Sequence, residues 1–203
     1  MIYQFKKHIP YIHPTAFVHQ TASVIGNVEI GKNVYIGPGA AIRGDWGKII
    51  IEDGCNVQEN CTIHMFPGTT VLLKKGAHVG HGAIIHGATL MENCLVGMNA
   101  VIMDYAVIGK ESIVGALAFV KEKFEVPPRK IVVGNPAKIV KDVTDEMAAW
   151  KIEGTGLYQK LPKECHQSLK EVEPLRSKPK FEVPQTKNYF TRSEIKNKTN
   201  QKS

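Results

Sequence analysis

Residues 90–120 read LMENCLVGMNAVIMDYAVIGKESIVGALAFV, and an aliphatic residue occupies every sixth position of this stretch. The same spacing extends back towards the N-terminus, with an excess of three residues after Ile42, an excess of four after Ile63 and one residue fewer after Ile85. A fixed period of this kind is typical of repeat proteins, in which each repeat forms one structural unit. We call these positions the aliphatic column, and its members are Val18, Val24, Ile30, Ile36, Ile42, Ile51, Val57, Ile63, Leu73, Val79, Ile85, Leu90, Val96, Ile102, Ile108, Val114 and Val120.

A second column of small or aliphatic residues follows most of these positions four residues later. Two inward-facing residues in each six-residue side predict an all-β fold, a parallel β-helix of triangular cross-section. Each coil takes three hexads and stacks on the next at about 4.8 Å, so the aliphatic column predicts nearly six coils. We call the second set the small-residue column, and its members are Ala22, Val28, Val34, Ala40, Cys61, Ala77, Ala83, Cys94, Ala100, Ala106, Ser112 and Ala118.

Glycines and cysteines occupy regular places in this repeat. Glycine directly follows the aliphatic column at six positions, where we expect tight corners with positive φ angles. Cys55, Cys61 and Cys94 fall at interior positions, where a reduced thiol behaves as a compact hydrophobic side chain. Cys165 is isolated and the chain has no CxxC motif, so the sequence favours neither a disulfide framework nor a thiolate zinc site. The six glycines are Gly31, Gly37, Gly80, Gly97, Gly109 and Gly115.

The repeat assigns a geometry to three histidines. Ile42, Ile63 and Ile85 are three positions apart in the aliphatic column, so their successors Arg43, His64 and His86 should form a vertical row on one face. Imidazoles one coil apart can share a metal ion. His81 belongs to the neighbouring face, and it could reach the same metal only from an adjacent subunit of a trimer. Three imidazoles with an open fourth position allow zinc to lower the pKa of bound water to about 7, which supplies hydroxide.

At these residues the sequence resembles the γ-class carbonic anhydrase family of left-handed parallel β-helix proteins. Longer motifs, Val96–Asp104, Gly154–Gln159 and Cys165–Arg176, are most similar to the subgroup that contains the phenylacetate-degradation protein PaaY and the carnitine-operon protein CaiE. The resemblance covers about residues 10–170. The shared family pattern is Arg43-Gly44-Asp45, Asn56-Val57-Gln58-Glu59, His64 and His81-Gly82-Ala83-Ile84-Ile85-His86.

The resemblance implies a homotrimer whose metal ligands, His64, His81 and His86, come from two subunits. It implies zinc, with iron or cobalt as alternatives. The same resemblance gives five candidate catalytic residues. Gln58 would orient the metal-bound hydroxide, and Arg43 and Asp45 would form an ion pair at the trimer interface. The other two are Glu59 of the shared pattern and Tyr158, which matches a tyrosine of the subgroup.

One departure from the family bears on the reaction. The best-known γ-class anhydrases carry an acidic loop after the first metal histidine, whereas residues 65–70 here are MFPGTT, without a titratable group. Fast CO2 hydration needs such a proton relay. The resemblance to the subgroup implies hydrolysis of a CoA thioester, a slower reaction that needs no such relay, with CO2 hydration to bicarbonate as the alternative. Met65 and Phe66 would form an apolar lip for the acyl group.

Two other classes of function remain open at this stage. Many hexapeptide-repeat proteins are acyltransferases that use a catalytic histidine without a metal. A noncatalytic trimeric accessory protein of a carnitine or phenylacetate operon is the second class. Stoichiometric bound metal would argue against the acyltransferase. Bound metal without hydrolase or hydratase activity would favour the accessory protein.

The sequence divides into a β-helix domain (1–140), a helical segment packed on it (141–172) and a basic flexible tail (173–203). Thr144 is a predicted N-cap, and we expect the helix to be interrupted at Gly154–Gly156 and again at Pro162. The tail has eight basic residues against three acidic ones, and we assign no specific nucleic-acid partner to it. Without a signal peptide or a long apolar segment, the sequence predicts a cytoplasmic protein with no membrane partner.

Overall fold

The computed structural model describes residues 1–179, which form strands, paired in parallel except for the last two, and one helix, α1 (Asp145–Ser168). The strands are β1 (Ile2–Tyr3), β2 (Tyr11–Ile12), β3 (Phe17–Val18), β4 (Ser23–Ile30), β5 (Tyr35–Ile36), β6 (Ala41–Ile51), β7 (Asn56–Val57), β8 (Thr62–His64), β9 (Thr70–Leu73), β10 (His78–Val79), β11 (Ile84–His86), β12 (Thr89–Leu90), β13 (Leu95–Val96), β14 (Val101–Ile102), β15 (Val107–Ile108), β16 (Ile113–Val114), β17 (Phe119–Val120), β18 (Glu125–Val126), β19 (Lys130–Val133) and β20 (Lys138–Asp142).

The strands form the three faces of a parallel β-solenoid, which confirms the predicted fold class. The histidine face contains β8, β11, β14 and β17, and the third face contains β9, β12, β15 and β18. Strand β6 pairs with both β8 and β9, so it turns the corner between these two faces. The helix face contains β3, β5, β7, β10, β13, β16 and β19.

The solenoid has about seven turns, more than the predicted six. The difference arises because the aliphatic column continues in both directions beyond the predicted limits. Ile12 pairs with Ile30 at one end, and Val126 and Val132 are buried above Ile108 and Val114 at the other.

The two sequence columns form the core. Every member of the aliphatic column except the partly buried Val18 is buried, and so is every member of the small-residue column. Cys55, Cys61 and Cys94 lie in this core, and burial raises the pKa of the Cys55 and Cys94 thiols to about 12. These cysteines are therefore protonated core side chains, as the repeat predicts.

The expected role of the six glycines was wrong. None of them has a positive φ in the described chain. The left-handed conformation falls instead three residues after the aliphatic column, as at Asn33 (φ 52°) and Gly82 (φ 69°). The glycines are required by close stacking of the coils, because a Cβ atom on Gly97 would lie 2.5 Å from the backbone nitrogen of Ala116.

Helix α1 begins as predicted and continues further than predicted. The Thr144 hydroxyl accepts a hydrogen bond from the Met147 backbone N–H at 3.3 Å, which is the expected N-cap. The predicted breaks at Gly154–Gly156 and Pro162 are wrong, since the helix runs unbroken to Ser168. Its buried side chains are Met147, Lys151, Thr155 and Pro162.

Contacts with the solenoid explain why α1 persists through unfavourable residues. Lys151 Nζ donates to the Gly76 carbonyl at 2.9 Å, and Gln159 Nε2 donates to the Gly54 carbonyl at 3.1 Å. Such tertiary contacts offset the roughly 1 kcal/mol intrinsic cost of each helical glycine. Most of the predicted flexible tail lies outside the described residues. Among residues 1–179, no helix has the length and apolarity needed to cross a membrane.

Candidate metal centre

His64 and His86 lie side by side on the histidine face. They are Cα partners in neighbouring coils, and their ring centroids are 5.4 Å apart. Ile42 pairs with Ile63, so Arg43 lies directly beside His64 in the same row. The spacing of the repeat therefore placed this row correctly.

A buried carboxylate orients His86. Both side-chain oxygens of Asp104 lie 2.8 Å from His86 Nδ1, and Asp104 is only 1% exposed. A Cβ atom on Gly87 would lie 2.1 Å from Asp104 Oδ1, so the missing side chain makes room for the carboxylate. A hydrogen bond donated through Nδ1 leaves Nε2 of a neutral imidazole as the basic nitrogen.

His64 has a different environment. Its Nε2 atom lies 2.9 Å from Asp45 Oδ1 and 3.1 Å from Arg43 Nη2. A single ring nitrogen can donate to the carboxylate or accept from the guanidinium, but not both. A metal ion bound through this atom therefore requires Arg43 and Asp45 to turn away. These two residues form an ion pair of 3.4 Å within one chain.

His81 lies at the corner between the helix face and the histidine face, and its side chain is half exposed. Its Nδ1 atom is 2.5 Å from Glu59 Oε2, and Glu59 Oε1 accepts a hydrogen bond of 3.0 Å from the Tyr35 hydroxyl. Burial raises the pKa of the Glu59 carboxyl, but hydrogen bonds from its own backbone N–H, Tyr35 and His81 outweigh burial and hold the pKa below its usual value.

One chain does not bring the three histidines together. Within residues 1–179, no three His, Cys, Asp or Glu side chains form a cluster that could hold a metal ion. The spacing of the repeat also predicts that His81 lies on a different face from His64 and His86. A three-histidine site therefore needs a second subunit.

Gln58 is buried on the helix face. Its Nε2 atom donates to Asn56 Oδ1 at 3.0 Å and contacts His78 Nε2 at 2.7 Å. Burial lowers the pKa of His78 to about 3, so this imidazole is neutral and accepts the hydrogen bond. The amide nitrogen of Gln58 is thus engaged by Asn56 and His78 rather than by a predicted metal ligand.

Tyr158 of α1 packs against the helix face. Its ring centroid is 5.9 Å from that of Tyr35 and 5.2 Å from that of His78. Burial raises the pKa of the Tyr158 hydroxyl. Tyr158 is therefore packed beside Tyr35, whose hydroxyl donates to Glu59.

The predicted apolar lip is partly wrong. Met65 is fully buried in the core, whereas Phe66 is 52% exposed. Trp46, which lies near His64, is also 52% exposed. The Trp46 ring lies 5.1 Å from His64, and the Phe66 ring lies 5.1 Å from His86.

Trp46 lies in β6 and Phe66 in the loop between β8 and β9, at the two places where the repeat is interrupted. The Gly68 backbone N–H donates to the Trp46 carbonyl at 2.8 Å, so this loop contacts the corner formed by β6. Trp46, Asp104 and Tyr35 were not predicted as site residues from the sequence. The two interruptions of the repeat mark this corner, but no spacing in the sequence indicates that Asp104 reaches His86 or that the Tyr35 hydroxyl reaches Glu59.

Comparisons with known proteins agree with this architecture. A family model for the bacterial transferase hexapeptide (six repeats) matches residues 10–44, and a model for the GMPPB C-terminal domain matches residues 46–148. The chain is 48% identical to the carnitine operon protein CaiE of Escherichia coli K12 over 174 residues, which cover 86% of this chain and 89% of CaiE.

Two solved structures are also similar. One is a Bacillus cereus protein provisionally described as an acetyltransferase, with a TM-score of 0.81, 31% identity and coverage of 82% of this chain and 96% of that protein. The other is a hexapeptide transferase family protein from Anaplasma phagocytophilum, with a TM-score of 0.77, 31% identity and coverage of 80% and 96%.

Proposed function

The chain belongs to the CaiE/PaaY-type family of hexapeptide-repeat proteins, and from this premise we propose that it is a homotrimeric, metal-dependent hydrolase. Each site would contain His64 and His86 of one subunit and His81 of the partner subunit. The observation that carries the proposal is the register of His64 and His86, whose ring centroids lie 5.4 Å apart in adjacent coils.

The donor set fits a zinc ion, and it also fits ferrous iron or cobalt. Metal-bound histidines usually donate their second ring N–H to a carboxylate, which fixes the tautomer. His86 and His81 have this arrangement with Asp104 and Glu59. A zinc ion bound by three imidazoles lowers the pKa of water to about 7 and so provides a nucleophile at neutral pH.

The surrounding residues would prepare the site for that ion. Asp104 and Glu59 hold the protons on Nδ1 of their histidines, so that the other ring nitrogens are basic. Arg43 and Asp45 have to release His64 Nε2, and their mutual ion pair can persist after this movement. Gln58 can reach the reacting oxygen only if its amide gives up Asn56 or His78, so we assign it a secondary role.

The substrate we favour is a CoA thioester. Trp46 and Phe66 offer half-exposed apolar rings beside His64 and His86, which suit an acyl group better than CO2. Residues 65–70 contain no titratable side chain that could relay protons quickly. Slow thioester hydrolysis needs no such relay, whereas efficient CO2 hydration does.

The decisive experiment measures metal per chain for the wild type and for His81→Ala, with thioesterase and CO2-hydration assays on the same samples. We expect about one metal ion per chain in the wild type, on the basis of one three-histidine site per subunit. The variant should lose the metal and the activity but keep the fold, because His81 is half exposed. His13→Ala removes a different surface histidine and serves as the control. A folded His81→Ala variant that retains the metal would refute the intersubunit site.

An acyltransferase is the second candidate. It is favoured by the similarity to the Bacillus cereus and Anaplasma phagocytophilum structures described above. This reaction needs no metal, so transfer of an acetyl group to an acceptor by metal-free protein would support it. Transfer that disappears with chelation would count against it.

A further inference from the structure

Glu59 links a buried tyrosine to a half-exposed histidine. Tyr35 is 6% exposed, and its hydroxyl donates to Glu59 Oε1 at 3.0 Å. The other carboxylate oxygen of Glu59 lies 2.5 Å from His81 Nδ1. The three side chains therefore form one hydrogen-bonded chain from the helix face to the corner that carries His81.

Tyr35 is the rigid end of this chain. Its ring stacks on Phe17, with centroids 6.0 Å apart and planes 12° from parallel, and it also contacts Tyr158 of α1. Burial, followed by the hydrogen bond to Glu59, raises the pKa of the Tyr35 hydroxyl, so the group remains a donor. By contrast, the side chains of Glu59 and His81 are 33% and 48% exposed.

We propose that Tyr35 is a positioning residue for the metal centre: its hydroxyl anchors Glu59, which in turn holds His81 in the tautomer that carries the proton on Nδ1. The basic Nε2 is then available for a ligand before any ligand arrives. The use of this nitrogen by a metal rests on the proposed function, but the tautomer itself does not.

Glu59 needs an anchor because a glutamate side chain has three rotatable bonds, and a water-exposed carboxylate can adopt many orientations. Tyr35 reduces these orientations by engaging one oxygen, so the second oxygen meets His81 Nδ1. The hydrogen bond at one ring nitrogen decides which nitrogen keeps the proton. Without the hydroxyl, the proton of neutral His81 should distribute over both nitrogens.

The test measures the ring nitrogens of His81 by long-range proton–nitrogen NMR on the full-length, metal-free protein. The wild type should have Nδ1 protonated and Nε2 unprotonated. Tyr35→Phe retains the stacked ring and removes only the hydroxyl, and it should shift His81 towards a mixture of tautomers. Tyr11→Phe removes an exposed tyrosine hydroxyl at a different site and should leave the spectrum unchanged.

Zn²⁺ affinity, measured by chelator competition, provides a second readout. Second-layer contacts to metal histidines typically change affinity by 10- to 100-fold, and we expect about tenfold weaker binding for Tyr35→Phe. Glu59→Asp shortens the bridging side chain without altering the aromatic layer. It should reproduce the tautomer change even if Tyr35→Phe does not fold.

The outcomes separate the two proposals. An unchanged His81 tautomer in folded Tyr35→Phe or Glu59→Asp would overturn the positioning role. A changed tautomer in these variants, together with no Zn²⁺ binding by any form of the protein, would support the positioning chain and overturn the metal-dependent function.

Discussion

Asp104→Asn should weaken metal binding by 10- to 100-fold while leaving the solenoid folded. In the wild type both Asp104 oxygens lie 2.8 Å from His86 Nδ1, inside a site where the carboxylate is 1% exposed. Asparagine has nearly the same shape but offers an NH2 group in place of one oxygen. If that group faces His86, Nδ1 becomes the acceptor and the proton moves to Nε2, the nitrogen needed for the metal.

The expected loss corresponds to about 1.4–2.8 kcal/mol of binding free energy, the range typical for carboxylates that support metal histidines. The assay is Zn²⁺ competition against a chelator, with thermal unfolding as a check of the fold. Asp142→Asn makes the same chemical change at an exposed position paired with Lys130 and should bind normally. Affinity within twofold of the wild type for folded Asp104→Asn would refute the reasoning.

Three further predictions address the fold. Met65→Glu should lower the free energy of unfolding by about 3 kcal/mol or more because Met65 is fully buried, whereas Phe66→Glu should change it by about 0.5 kcal/mol or less. If the two variants have equal denaturation midpoints, Met65 is not buried in the core. Gly97→Ala should destabilise, because its Cβ would meet Ala116, while Gly156→Ala should stabilise α1 by up to about 1 kcal/mol, since nothing lies within 4 Å; denaturant titration compares them. Burial lowers the pKa of Lys151 from 10.5 to about 8, so between these pH values the unfolded state binds more protons than the folded state. The contribution of Lys151 to the free energy of unfolding should therefore rise with pH in this range, by at most about 3 kcal/mol. If the stability difference between the wild type and Lys151→Met is constant from pH 8 to 10.5, the pKa of the Lys151 amine is not lowered.

The sequence predicted the inward and outward positions of side chains correctly wherever the repeat continued. A strict period of six specifies which side chains point inward and which residues stack in successive coils, because each coil repeats the geometry of the one before it. For this reason the core columns, the interior cysteines and the neighbouring positions of His64 and His86 were all predictable. The same reasoning stopped too early at both ends, where Ile12 and Val132 extend the column.

Predictions failed where the period carries no information. Met65 lies in a loop outside the repeat, so its inward direction depends on how that loop packs against the part of β6 that contains Trp46. The continuity of α1 through Pro162 depends on contacts with the solenoid that a local propensity cannot include. The glycines after the aliphatic column were assigned to the right places for the wrong reason, because their constraint comes from the next coil.

By itself, the sequence determined a triangular parallel solenoid and the register that brings His64 and His86 together, since both follow from counting in sixes. Only the tertiary structure decided which partner each histidine has: Asp104 for His86, and Tyr35 through Glu59 for His81. Those contacts depend on side-chain torsions and on the space left by residues such as Gly87. The repeat determines the position of each Cα atom in the coil, whereas side-chain packing determines the positions of the polar atoms.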